Sequence, residues 1–278
     1  MIKKVVLVTG ASSGIGYDAA IQLNEKGFTV YGAARRMDLL KTLVDKGINI
    51  LSLDVTKEDS MQACIESIIA EEGRIDVLVN NAGYGSFGAV EDVPMAEARR
   101  QMEVNVFGLA RMSQLVLPYM RKQKTGRIIN ITSIAGKVHT PFGGWYHATK
   151  FAVEGLSDCM RMELKDKGIK VILVEPGGIK TNWGVIAADN LLKTSKGGAY
   201  EEFATQVAKS TKKSYTSGKF LSSPSLIAKT IVKASTKKNP KTRYLVGAGA
   251  KPALFLRRIL TDKAYDRVML RFVGKRTK

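Results

Sequence analysis

Cysteine is nearly absent from this chain: there are two in 278 residues. Cys64 and Cys159 fall in unrelated helical segments without metal-ligand spacing, and both read as buried, reduced thiols. Histidine is equally scarce. His139 lies in a loop pattern and His147 inside a Tyr-x-x-x-Lys spacing, so both read as packing or pocket lining. No Cys/His/Asp cluster has metal-ligand spacing, and no metal is expected. A run of about 18 or more apolar residues is also missing, which excludes a membrane-spanning helix. The first residues, "MIKKVVLVTG", enter a strand pattern directly, without the apolar core and cleavage site of a signal peptide, so a cytoplasmic location is expected. No Pro/Gly/Ser-rich linker, internal repeat or long low-complexity tract divides the chain. With 45% hydrophobic and 25% charged residues, residues 1–278 read as one domain around one large core.

Acid is lacking in one region only. Residues 204–278 carry 19 Lys/Arg against Asp262 and Asp266, a net of +17, whereas residues 1–203 carry 25 against 23, a net of +2. Nucleic acid, anionic lipid and plain solvation each account for such a basic quarter. It has neither a nucleic-acid motif nor interleaved stacking aromatics, so no nucleic-acid partner is expected. In its last part, 251–278, Leu254, Phe255, Ile259, Val268, Met269 and Phe272 alternate with Arg257, Arg258, Lys263, Arg267, Arg271, Lys275 and Arg276. That is a basic amphipathic segment. It either lies against an anionic membrane or packs on the body or on a second subunit with its charges solvated.

What the chain does have is alternation. Short apolar, β-branched runs ("KKVVLVTG", "FTVYGAA", "NILSLDV", "IDVLVNNAG", "GRIINITS", "KVILVEPG", "RYLVG") are separated by amphipathic stretches over 17–26, 57–72, 95–121 and 146–167. Runs apolar on consecutive positions suit strands covered on both faces. The expectation is α/β: a doubly wound parallel sheet of about seven strands, the Rossmann arrangement of three layers, with its ligand crevice at the carboxyl ends of the strands.

The first strand runs into "TGASSGIG", Thr9–Gly16, which opens the first helix. Gly10 permits a tight turn, Gly14 and Gly16 allow backbone and helix to approach a pyrophosphate, and the helix N-terminus supplies N–H donors. At the end of the second strand a carboxylate would bind an adenosine ribose 2′-hydroxyl. Here Ala34 holds that place and Arg35 and Arg36 follow, which suits a 2′-phosphate. The expected cofactor is NADP(H).

These and further motifs resemble the short-chain dehydrogenase/reductase family in its NADP-using form, over residues 1–185. The loop Gly10, Ser12, Ser13, Gly14, Ile15, Gly16 resembles its cofactor loop, and "LDVT" places Asp54 and Val55 beside the adenine. "NNAG" places Asn81, Ala82 and Gly83 beside the cofactor. Asn105 in "MEVNVFG" and Ser133 in "NITSIAG" match a helix asparagine and a strand-end serine, and Tyr146 and Lys150 match its Tyr-x-x-x-Lys. "PGGIKT" resembles the nicotinamide-side loop, with Pro176, Gly177, Ile179 and Thr181. By "GGWYHATK" and "KTRYLVGAGAKP" the resemblance is nearest to hydroxysteroid- and retinol-dehydrogenase-like members. It implies that Lys150 holds the nicotinamide ribose and that Asn105 positions a relay water.

The chemistry is intelligible from the residues themselves. A ketone that accepts hydride must gain a proton, and a tyrosine hydroxyl can give it, although its ordinary pKa of about 10 is high for the task. A lysine at i+4 stabilises the phenolate, and a serine adds a hydrogen bond to the substrate oxygen. The catalytic set is therefore Asn105, Ser133, Tyr146 and Lys150. A second Tyr-x-x-x-Lys, "YTSGK" at 215–219, contains Ser217 and Gly218, which break helix continuity, and lacks a strand-end serine upstream; it reads as an accident.

The segment 183–220 is expected to cap the substrate, with Phe142, Gly144, Trp145 and Trp183 near the pocket. Family members commonly have an acid after the threonine, whereas this chain has Asn182–Trp183, a bulkier and less charged wall. The expected function is hydride transfer between NADP(H) and a hydrophobic ketone or secondary alcohol, by a homodimer or homotetramer. The alternative is a non-catalytic NADP(H)-sensing or scaffold protein on the same fold, against which the complete four-residue set argues.

Overall fold

A computed structural model describes residues 3–219 and 221–274. Its centre is one seven-stranded sheet in the order β3-β2-β1-β4-β5-β6-β7, every pairing parallel. The strands are β1 (Val5–Thr9), β2 (Thr29–Ala34), β3 (Asn49–Ser52), β4 (Val77–Asn80), β5 (Gly126–Ile131), β6 (Ile169–Pro176) and β7 (Arg243–Val246). Between and after them lie α1 (Gly14–Glu25), α2 (Lys41–Val44), α3 (Glu58–Glu72), α4 (Met95–Met102), α5 (Gly108–Lys122), α6 (Gly144–Glu163), α7 (Trp183–Thr194), α8 (Glu201–Ser217), α9 (Pro224–Thr236), α10 (Ala250–Ile259) and α11 (Asp262–Phe272).

The consecutive apolar positions have the expected cause. Along β1, Val6 and Val8 pack into a core with α1 and α9, while Val5 and Leu7 pack into another with α3, α5 and α6. A period-2 strand covered on both faces needs apolar residues at every position. At the edge, β3 is half-exposed and keeps little of this pattern. The sheet reverses direction between β1 and β4, and such a switch opens a crevice at the carboxyl ends of those strands.

Several sequence readings need correction. The stretch read as one helix over 95–121 is α4 and α5 joined by a π-helical turn, Glu103–Phe107, which carries Asn105. The helix read over 146–167 begins at Gly144 and ends at Glu163, followed by a short 3₁₀ turn. The basic C-terminal segment is two helices, α10 and α11, broken at Leu260–Thr261; its residues 275–278 lie outside the described residues. Cys64 is buried, and its thiol is pushed up to about 12 by burial, but Cys159 is exposed on α6. Among the described residues no helix is long and apolar enough to cross a membrane.

The cap region is the packed helix pair α7 and α8, held by aromatic-to-glycine contacts. The indole of Trp183 lies where a side chain on Gly85 would be, and the ring of Tyr215 lies where one on Gly184 would be. Phe220, the expected end of this cap, lies outside the described residues.

Candidate active site

The crevice at the switch point is a cavity of about 990 Å³. Thr9 begins its floor. The Thr9 hydroxyl accepts from the backbone N–H groups of Asn81 (3.0 Å) and Ala82 (3.0 Å), tying the end of β4 to the end of β1. The Asn81 carboxamide donates back to the carbonyls of Thr9 (3.0 Å) and Gly10 (3.2 Å). Gly16 must be glycine, because a methyl there would overlap that carboxamide and the Gly10 carbonyl. Gly14 has φ +58, and Thr181 from across the cavity is the neighbour nearest its bare face. The loop is thus a concave run of backbone leading into the N-terminus of α1, the shape that suits a pyrophosphate.

Every residue expected to bind the cofactor lines this cavity except Gly16, which is packed behind it. Arg35, the first residue past β2, is exposed on the rim and acts electrostatically on Asp54. Asp54 is itself engaged in a turn, its Oδ1 accepting from the Thr56 N–H (3.0 Å) and hydroxyl (2.8 Å). Burial raises its pKa, but Thr56, Arg35 and Lys57 outweigh burial and hold the carboxyl low. At the end of β2 the sequence is Ala34-Arg35-Arg36, with no carboxylate at these three positions. The cavity has the shape of a dinucleotide crevice, with the Arg35 guanidinium at one end.

At the other end, α6 presents Tyr146 and Lys150 one turn apart, both buried. The Lys150 ammonium stands 5.8 Å from the Tyr146 ring centroid and donates to the Ile131 carbonyl at 3.0 Å. Burial pulls Lys150 down to about 8, with the Glu154 charge opposing. Burial also pushes the Tyr146 hydroxyl far above its ordinary value, while a hydrogen bond with Ser133 works in the other direction. The expectation that Lys150 depresses this pKa is not met, since desolvation is the largest influence and keeps the phenol protonated. Ser133 is oriented by its own turn: its Oγ accepts from the Ala135 N–H (3.1 Å) and donates to the Pro176 carbonyl (3.4 Å).

Asn105 is 1% exposed and does not line the cavity. Its Oδ1 accepts from the Tyr84 N–H (3.0 Å), and its Nδ2 donates to the Tyr84 carbonyl (2.8 Å) and the Thr149 hydroxyl (3.1 Å). It braces the loop after β4 against α6. His147 is also fixed by hydrogen bonds. Thr140 donates its N–H to Nε2 (3.2 Å), so Nδ1 carries the proton toward the Ala135 carbonyl (2.9 Å), and burial lowers the ring's pKa.

Sequence reasoning misplaced part of the wall. Phe142, Gly144 and Trp145 do not line the cavity; Phe142, at φ +65, packs against Phe203 behind the cap. Trp183 does line it, with centroids 5.0 Å from Tyr146 and 5.6 Å from Phe87. Phe87 and Tyr215 were missed. Tyr215 reaches the cavity and is near enough to Tyr146 to affect its charge, although Gly218 (φ +63) ends α8 before Lys219, so "YTSGK" makes no helical pair. The small residue beside Trp183, Gly184, was the available signal that an aromatic ring packs there.

Behind α6 the polar support continues. Glu154, one turn after Lys150, and Glu175, at the end of β6, are both buried, and Lys137 and Arg243 share them. Lys137 pairs with Glu154 at 2.6 Å and Arg243 with Glu175 at 3.1 Å. Burial and the charge of Glu154 push Glu175 up to about 7. A folded pKa above the unfolded one means that this carboxyl loses stability for the fold as pH rises through the window between the two. Glu175→Gln keeps the acceptor for Arg243 and lacks the titration. Its stability relative to the parent is expected to rise by about 1–3 kcal/mol between pH about 4.5 and about 7. Thermal melts across that range check it; a difference independent of pH contradicts the assignment.

The short-chain dehydrogenase family model matches residues 4–189. The chain belongs to the short-chain dehydrogenases. It is 40% identical over 247 residues to the 3-ketodihydrosphingosine reductase of Bacteroides thetaiotaomicron, covering 89% of each chain. Among solved structures, a short-chain dehydrogenase from Streptomyces avermitilis aligns with TM-score 0.79 and 34% identity, over 97% of this chain and 95% of that one. A metagenomic short-chain oxidoreductase in complex with NADP aligns with TM-score 0.68 and 28% identity, over 87% and 96%. Membership makes the protein an oxidoreductase of this dehydrogenase family and makes the crevice just described its candidate active site.

Proposed function

We propose that this short-chain dehydrogenase transfers hydride between NADP(H) and a hydrophobic ketone or secondary alcohol, with Tyr146 as general acid/base. The observation that carries the reading is the convergence of three groups at one end of a dinucleotide-shaped cavity. These are a protonated, buried phenol, the Ser133 hydroxyl within its hydrogen-bonding reach, and a lysine over the phenol ring.

Bound in the crevice, NADPH supplies the hydride. The chain's part is the proton and the surroundings. Ser133 donates a hydrogen bond to a carbonyl oxygen, and Tyr146 gives its proton to that oxygen as negative charge grows there. Charge left on the phenol is offset by the Lys150 ammonium one turn away, and in this reading the same ammonium would hold the nicotinamide ribose. Asn105 keeps α6 and the loop after β4 in register with this site. A resting phenol held protonated by burial is the state needed for reduction. The wall of Phe87, Trp183 and Tyr215 offers apolar area and excludes water, which favours an apolar substrate over a charged one. A relative named for reducing a ketone, 3-ketodihydrosphingosine, supports that class.

NADP(H) is supported by Arg35 on the rim, by Ala34 in place of an acid at the end of β2, and by the NADP bound in a structural neighbour. Assaying a panel of long-chain, steroidal and small polar ketones with NADPH tests the reading. Apolar ketones are expected to show the higher kcat/KM, and a preference for charged or small polar ones would overturn the substrate class.

A further inference from the structure

The C-terminal helices α10 and α11 each have two unlike faces. On the inner face Tyr265 of α11 is buried, its ring 4.9 Å from that of His139, with the Arg257 guanidinium 5.5 Å from its centroid. Both acids of the basic quarter have partners. Asp262 forms an ion pair with Arg257 at 2.8 Å, and Asp266 Oδ1 lies within hydrogen-bonding distance of His139 Nε2 at 3.0 Å. Val273 packs beside Phe142 and Phe203 at the cap. Both helices are therefore fastened to the body, and packing accounts for these inner faces.

Packing does not account for the outer face. On α10, Phe255 and Ile259 are one turn apart and remain 62% and 59% exposed; on α11, Val268 and Phe272 are one turn apart, and Phe272 is 82% exposed. Around them Lys251, Arg258, Lys263, Arg267 and Arg271 are exposed, and among the described residues none has a carboxylate within ion-pairing distance. Exposed phenyl and branched side chains set among unpaired cations call for a partner that is apolar inside and anionic at its surface.

A second copy of the chain would bring the same cations against these, at a cost in repulsion. A nucleic acid would neutralise the cations but gives the aliphatic side chains nothing to enter. An anionic bilayer meets both requirements, because its headgroups pair with the cations and its acyl region receives Phe255, Ile259 and Phe272. We propose that the outer face of α10 and α11 seats the protein on an anionic lipid surface as a peripheral contact. Phe272 lines a groove together with Phe203 of α8, so the cap would stand next to the lipid. This inference does not depend on which substrate the site takes.

Co-sedimentation of the full chain with phosphatidylglycerol/phosphatidylcholine vesicles and with pure phosphatidylcholine vesicles tests it. Binding to the anionic vesicles only is expected, weakened at least tenfold at about 1 M salt, where the screening length falls to about 3 Å. Neutralising Arg258, Arg267 and Arg271 together to serine is expected to weaken binding about 100-fold, roughly fivefold per cation. Phe255→Ser with Ile259→Ser, at unchanged charge, should weaken it by about tenfold. All these positions are exposed, so the thermal midpoint and NADPH binding should stay at parental values. No binding to anionic vesicles at low salt overturns the proposal. So does binding that neither variant set alters, or binding to soluble polyglutamate as tight as to vesicles and indifferent to the apolar variant. Self-association through this face without vesicle binding overturns it as well.

Discussion

Tyr146→Phe is expected to lower kcat by about 10²-fold or more while leaving NADPH affinity within about twofold. The phenyl ring keeps its contacts with Phe87 (centroids 5.9 Å) and Trp183 (5.0 Å), so the aromatic wall survives. What disappears is the hydroxyl that supplies the proton. No other group in reach replaces it. Ser133 is a far weaker acid, and Lys150 is directed to the Ile131 carbonyl. Tyr215→Phe is the matched control. Tyr215 lines the same cavity but has no cation on its own helix one turn later, because α8 stops at Ser217. It is expected to change KM by a few-fold at most and to leave kcat nearly unaltered. If Tyr215→Phe proves the more damaging change, the two tyrosines have been assigned the wrong way round.

Arg35→Ala is expected to weaken NADPH binding by about 2–3 kcal/mol, roughly 30- to 150-fold, with little change for NADH. Arg35 stands at the rim where β2 ends, and in the proposed function its charge-assisted contact to a 2′-phosphate would distinguish the two cofactors. Arg36 beside it retains part of the field, so the loss should be larger in the double variant Arg35→Ala, Arg36→Ala. Trp183 lines the cavity and serves as the fluorescent reporter for both titrations. Equal affinities of the parental protein for NADPH and NADH would contradict the reading.

The sheet and the phosphate loop were legible because their physics is local. A strand buried on both faces must be apolar at Val5, Val6, Leu7 and Val8 alike, and a helix opening onto a phosphate needs Gly10, Gly14 and Gly16 at close spacing. Tyr146 and Lys150 were legible for the same reason, since i and i+4 share a helix face. The errors came from geometry that no short pattern encodes. Gly144 and Trp145 precede Tyr146 by two and one residues, and a helix turns roughly 100° per residue, so they face elsewhere. The π-helical turn at Glu103–Phe107 leaves no mark on the periodicity of its neighbours, yet it sets where Asn105 points. Tyr215 reaches the cavity because α8 packs back across α7, a tertiary contact. The pKa reversal at Tyr146 has a similar origin: burial is collective, and the adjacent lysine alone does not set it.

The account rests on hydride reaching an apolar ketone at Tyr146, and isotopic transfer tests that directly. NADPH carrying deuterium at the nicotinamide C4 position is incubated with the parental protein and an apolar ketone, and the product is analysed by mass spectrometry. One of the two C4 epimers should deliver a single deuterium to the carbinol carbon and the other none, with transfer falling about 10²-fold in Tyr146→Phe at unchanged NADPH binding. NADPH that binds with high affinity but delivers no deuterium to any ketone tried, or transfer that is equally fast in Tyr146→Phe, would contradict the account.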